Sequence, residues 1–185
     1  VNVALQSRQP GSSIKPLAYA AAFIKGYTPN TILYDVVTNF AASGPAYEPR
    51  NYNGKEYGPV SMKKALAGSL NVPAVKTLYL AGIDRVLDLA KKMGYTTLAD
   101  KNRLGLSMVL GGGEVKLLEH TNAYSAFARE GMIHSPAFIL KIEDRHGKIL
   151  EEFKDNETKV FEPNIAREIN YILTDNSERS YIFGA

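Results

Sequence analysis

The chain has 185 residues, 45% of them hydrophobic and 22% charged, with a formal net charge of +3. That is enough for one domain with a substantial core and too little for two, and the basic residues are interleaved with acids rather than clustered as a nucleic-acid surface requires. The absence of cysteine excludes disulfide frameworks, zinc–thiolate sites and thiol catalysis, and no run approaches the roughly 18 apolar residues of a membrane span.

The first residue is Val1, with no initiator Met and no charged leader, so the chain reads as a piece of a longer protein. Any membrane attachment would come from an anchor outside it. From Ser12 to about Lys25, "SSIKPLAYAAAFIK" predicts a helix that follows a Pro-Gly turn and stops at Gly26. Its residues from Leu17 to Ile24 are apolar on nearly every face, which predicts burial. Pro16 falls at the first turn, where proline costs least, and it predicts an irregular or 3₁₀ opening.

The stretch "YTPNTILYDVVTNFAASGPAYEPRNYNGKEYGPV" has no sustained period and predicts an irregular wall with one short strand. Helices follow. "SMKKALAGSL" starts at Ser61 as its N-cap, "VPAVKTLYLAG" ends at Gly82, and the amphipathic "DRVLDLAKKMG" ends at Gly94. The triple glycine at 111–113 predicts a tight turn before a further helix, "EVKLLEHTNAYSAFAREG". It lacks the spacing of a phosphate loop. "PAFILKIEDRHGKILEEF" predicts a β-hairpin, and a last helix from about Asn164 to Thr174 precedes a polar tail. His120, His134 and His146 fit no metal-ligand spacing.

Two patterns carry chemistry. Ser12 and Lys15 stand three apart at a predicted helix start, a spacing that shares one face and brings the lysine stem over the hydroxyl. A serine needs a neighbouring base, and lysine serves only when burial or a nearby cation lowers its pKa. The same pair reads equally well as an N-cap with a solvated lysine, and the chain has a second Ser-x-x-Lys, Ser61 to Lys64, whose plain reading is a cap. Downstream, Ser69 and Asn71 form a Ser-x-Asn between two helices; the hydroxyl could relay a proton and the amide could bind a substrate carbonyl. Locally that pattern also reads as a capped turn closed by Pro73.

Taken together, "RQPGSSIKP", "NYNGKEYGPVSMKKALAGSLNVPAVK" and "LGGGEVKLLEHTNAYSAFAREG" resemble the transpeptidase domain of class A penicillin-binding proteins along essentially the whole chain. Ser-x-x-Lys with a second serine motif and Lys-Thr-Gly marks this superfamily. The resemblance implies that Ser12 is the acylated nucleophile, which also begins the helix, and Lys15 its proton acceptor. It further implies that Ser69 is a relay hydroxyl and that Asn71 holds the substrate backbone. Lys-Thr-Gly does not occur; Lys76-Thr77 lacks the glycine and lies in a predicted helix. The chain is therefore expected to be a partial transpeptidase domain over 1–185. It would be α+β, mostly helical, with one hairpin and most of the central sheet missing, truncated at both ends and weakly active or inactive by itself. The implied partners are peptidoglycan stem peptides ending in D-Ala-D-Ala and β-lactams, on the extracytoplasmic side of the bacterial membrane, with no metal or organic cofactor. A non-catalytic or β-lactam-sensing receptor on the same fold is the alternative, and a β-lactamase fits the "RQPGSSIKP" surroundings less well.

Overall fold

A computed structural model describes residues 2–41, 43–98 and 104–184. The fold is built around helix α1 (Lys15–Ile24), whose residues from Lys15 to Phe23 are all buried. Its four alanines, Ala18 and Ala20 to Ala22, are at most 1% exposed and let neighbouring helices approach closely. A helix apolar on every face has no solvent side, so it becomes the centre of the domain.

Around α1 pack α2 (Met62–Ala67), α3 (Asn71–Ala81), α4 (Ile83–Lys92) and, from the C-terminal half, the helix Pro163–Thr174. Leu78, Val75, Val86, Ile169 and Ile172 fill the space between them. A further helix, α5 (Leu117–Ala128), packs against that C-terminal helix, here α6, and its Phe127 stacks at 5.4 Å on Phe161, just ahead of α6. Among the described residues the strands form four separate two-stranded antiparallel sheets: β1 (Ser7–Arg8) with β4 (Val115–Lys116), β2 (Ile32–Asp35) with β3 (Gly58–Ser61), β5 (Met132–Ile133) with β8 (Thr158–Lys159), and β6 (Lys141–Glu143) with β7 (Ile149–Glu152). The architecture is α+β with helices predominating.

Three expectations need correction. The helix does not begin on Ser12: the 3₁₀ opening expected from Pro16 is present but spans Gly11–Ile14 ahead of α1, Pro10 stands at its N-cap position, and no side chain caps it. Proline at position 16 explains this: it has no N–H to give the Ser12 carbonyl, which instead accepts the Lys15 N–H in a 3₁₀ bond, while Lys15 itself keeps α geometry. The irregular wall contains two paired strands rather than one, in register from Ile32↔Ser61 to Asp35↔Gly58. The polar tail is helical: α7 (Asn176–Phe183) is capped by Asp175, whose carboxylate accepts from the N–H groups of Ser177 and Glu178. Lys63 on α2 fixes this cap through a 2.8 Å ion pair with Asp175. The hairpin forms where the sequence places it, but it stands clear of the core, with Phe138, Leu140 and Leu150 exposed.

Candidate active site

The 3₁₀ turn presents Ser12 on the surface and buries the next turn of chain, so Lys15 is only 1% exposed. A buried ammonium must find acceptors or lose its charge. Lys15 Nζ finds three: the Ser69 carbonyl at 2.6 Å, Ser69 Oγ at 3.1 Å and Asn71 Oδ1 at 2.8 Å. Burial alone pulls its pKa from 10.5 down to about 7. Near neutral pH a large fraction of Lys15 is thus neutral, the form a base requires.

Ser69 reaches Lys15 twice because its backbone turns left-handed, with φ at +52°. A non-glycine residue pays for that conformation, and such outliers concentrate at functional sites. The turn follows Gly68, where α2 ends, and hands the chain to α3 at Asn71. Asn71 is itself aimed from behind. Its Nδ2 donates to the Arg50 carbonyl at 2.8 Å, which leaves Oδ1 for Lys15, and its backbone N–H donates to Asn51 Oδ1 at 2.8 Å. Asn51 Nδ2 in turn donates to both oxygens of Asp35, at 2.9 and 2.7 Å. Asp35 is fully buried; burial raises its pKa, opposed by the hydrogen bonds from Tyr57 and Asn51. A relay of hydrogen bonds therefore connects a buried carboxylate to the lysine.

The four residues singled out in the sequence converge on one place. Ser12, Lys15 and Ser69 line a cavity of about 260 Å³, and Ser12, Ser69 and Asn71 line a neighbouring cleft with Asn51 and Tyr52. The expected contact of the Lys15 amine with the Ser12 hydroxyl is absent: all three hydrogen bonds from Nζ go to Ser69 and Asn71. Only the backbone joins the pair directly, Lys15 N–H donating to the Ser12 carbonyl. Burial explains the difference, since a buried amine follows the polar atoms available to it in the interior. Lys76-Thr77 lies inside α3, far from strand geometry, with Thr77 buried and bonded to the Pro73 carbonyl.

Three features were not legible in the sequence. The Asp35–Asn51 support has no spacing signature; Asn51 sits in a loop of aromatic and polar residues with nothing to mark it. The triple glycine, read as a turn, has a second purpose: a Cβ at Gly111 would lie 2.5 Å from the backbone of Gly11, so the turn that carries Ser12 rests directly on this glycine. His120 lies within 2.9 Å of Ser13, the neighbour of Ser12. His134 pairs instead with Asp155 and Glu157, and among the described residues no group of three or more His, Asp or Glu is arranged to hold a metal.

The family model described as the penicillin binding protein transpeptidase domain matches residues 1–181. The chain is 41% identical over 153 residues to penicillin-binding protein 1A of Aquifex aeolicus, covering 78% of this chain and 20% of that protein. Its fold superposes on the crystal structure of penicillin-binding protein 1A from Haemophilus influenzae with a TM-score of 0.84 at 25% identity, covering 100% of this chain and 31% of that one. It also superposes on the PonA1 protein of Mycobacterium tuberculosis in complex with penicillin V, with a TM-score of 0.84 at 20% identity, covering 98% of this chain and 50% of that one. The chain spans about a fifth of the length of the curated relative from Aquifex. A match along nearly the whole sequence, and the same fold in each structure, make this chain a member of the penicillin-binding protein transpeptidase domain family.

Proposed function

We propose that the protein containing this chain is a peptidoglycan D,D-transpeptidase acting outside the cytoplasmic membrane, and that Ser12 is the residue acylated. The observation that carries the reading is the buried Lys15 amine, held by Ser69 and Asn71 beside Ser12 in one cavity. No other lysine in the described residues is 1% exposed.

The protonation state assigns the roles. A neutral amine has two N–H groups and one lone pair. The Ser69 carbonyl and Asn71 Oδ1 can only accept, so they take the two N–H groups. The lone pair is then left for Ser69 Oγ, the longest of the three contacts at 3.1 Å, whose hydroxyl becomes the donor. Ser69 thus stands at the proton-accepting face of Lys15 and extends it toward the cavity it shares with Ser12. Ser12 Oγ attacks the carbonyl carbon between the two terminal D-alanines of a stem peptide, and its proton passes to Lys15 through the Ser69 hydroxyl. The tetrahedral intermediate collapses, the carbon–nitrogen bond breaks, and the same proton goes to the departing D-alanine amine. An amine of a second stem peptide then attacks the acyl-Ser12 ester and restores the hydroxyl. A β-lactam enters the same first step, but its leaving nitrogen stays tethered to the acyl group and blocks the acceptor.

Labelling of the full-length protein with a fluorescent penicillin tests the assignment: the label is expected on Ser12 and absent from Ser12→Ala. Label retained by that variant refutes it. Release of the acyl group by an added amine acceptor distinguishes a transpeptidase from a sensor, which would hold it.

A further inference from the structure

Ser13, next to the proposed nucleophile, is held more tightly than Ser12 itself. Its hydroxyl has one proton. The Pro10 carbonyl, 2.7 Å from Ser13 Oγ, can only accept and takes that proton. The second neighbour of Oγ is His120 Nε2 at 2.9 Å, which must therefore donate. This fixes the tautomer: the imidazole proton is on Nε2 and Nδ1 is a bare acceptor. The Tyr95 hydroxyl lies 2.6 Å from Nδ1 and supplies the matching donor. The chain Tyr95→His120→Ser13→Pro10 thus runs in one direction with every proton used.

Its surroundings support the assignment. Tyr124, one turn further along α5, donates to the Ser13 carbonyl at 2.5 Å, and its ring meets His120 edge-on at 5.0 Å. Glu119, the carboxylate beside His120 in sequence, is engaged with Thr96 and Lys116. Burial lowers the His120 pKa and favours the neutral ring.

We propose that His120 is a positioning residue of this site: through its Nε2–H bond to Ser13 it fixes the 3₁₀ turn on which Ser12 Oγ and the Ser12 backbone N–H are presented. It acts through Ser13 and touches no substrate. A 3₁₀ turn has poorer hydrogen-bond geometry than an α-helix and drifts more readily. This turn has no side-chain cap, and Ser12 is exposed on it. The bonds from α5 supply what a cap would otherwise provide. The proposal rests on Ser12 being the acylated residue.

The test is time-resolved labelling of the full-length protein with a fluorescent penicillin across a concentration series, which separates initial binding from the acylation rate constant. His120→Leu keeps the bulk and loses the donor; it is expected to lower the acylation rate constant on the order of tenfold while leaving initial binding nearly unchanged. His120→Gln places an amide N–H near the position of Nε2 and is expected to recover most of the rate. Tyr95→Phe removes only the far donor and is expected to cost severalfold, which keeps the test open should the leucine variant fold poorly. Equal rate constants in the unaltered protein, His120→Leu and Tyr95→Phe overturn the proposal. So does a glutamine variant as slow as the leucine variant, because that outcome means packing and not donation. A protein that takes up no label before any substitution overturns the reading of Ser12 together with this one.

Discussion

The chain contains the same short pattern twice, and the two copies have opposite fates. Ser12 and Lys15 stand at the N-terminus of α1, the most buried helix, while Ser61 and Lys64 stand at the N-terminus of α2, at its edge. Lys15 is 1% exposed and surrounded by Ser69 and Asn71. Lys64 lies over the Tyr181 ring, 4.9 Å from its centre, as a partly solvated cation–π contact. The serines reverse roles as well. Ser61 accepts the Lys64 backbone N–H at 3.2 Å and caps its helix, whereas Ser12 caps nothing and faces the cavity. Spacing therefore does not lower the pKa of a lysine; burial does.

Replacing each lysine by methionine gives the sharpest separation. Lys15→Met removes the proposed proton acceptor and is expected to slow penicillin acylation on the order of 10²–10⁴-fold. Lys64→Met is expected to leave labelling unchanged. A thermal melt run beside the labelling separates lost chemistry from lost structure. A Lys15 variant that labels at the normal rate would remove the distinction between the two pairs.

The pH dependence carries the same contrast. With the pKa of Lys15 lowered to about 7, acylation should rise about tenfold per pH unit below 7 and level off above it. Stability should move in the same direction. Between pH 7 and 10.5 the unfolded chain binds a proton at Lys15 that the folded chain does not, so unfolding becomes harder as pH rises through that window. Denaturant titrations across it should show the rise in the unaltered protein and a flatter profile in Lys15→Met. No such slope is expected to be lost in Lys64→Met.

What could be read from sequence follows the same division. The burial of α1 was legible because its apolar residues leave no polar face, and the Ser61 cap was legible because capping is local. The convergence of Ser12, Lys15, Ser69 and Asn71 was legible only through the long resemblance, since 54 residues separate Lys15 from Ser69. The supports were not legible at all. Asp35 and Asn51 act through a loop with no period, and His120 meets Ser13 across 107 residues from a helix where a single histidine looks like any half-buried side chain. The triple glycine was visible as a turn, but its partner, the backbone of Gly11, was not.

That contact gives the next prediction. Gly111 has φ at +94°, and a Cβ there would meet Gly11 backbone atoms at 2.5 Å, with no flexible side chain to yield. Gly111→Ala should displace the turn that carries Ser12 and lower the acylation rate constant roughly tenfold or more, beyond the modest cost of the left-handed backbone itself. Gly68→Ala is the matching change on the α2 side, where the obstacle is the Tyr181 ring on α7. It should lower the melting temperature by loosening α7 and affect acylation less. Equal losses of rate from the two changes would mean that α7 supports Ser12 as directly as Gly111 does.

The smallest effect is expected at the second copy of the motif. Ser61→Ala deletes one capping bond, from the Lys64 N–H at 3.2 Å, and should destabilise the protein by about 1 kcal/mol in a denaturant titration. Penicillin labelling should not change, because neither Ser61 nor Lys64 lines the cavity beside Ser12. The result is informative through its contrast with Ser12→Ala, which deletes no cap and should therefore leave stability nearly unaltered while abolishing the label. On this expectation one serine would contribute to stability and not to chemistry, the other to chemistry and not to stability. A Ser12→Ala variant destabilised as much as Ser61→Ala would mean that the exposed hydroxyl also anchors its turn, a role the Ser13 bonds to Pro10 and His120 otherwise fill.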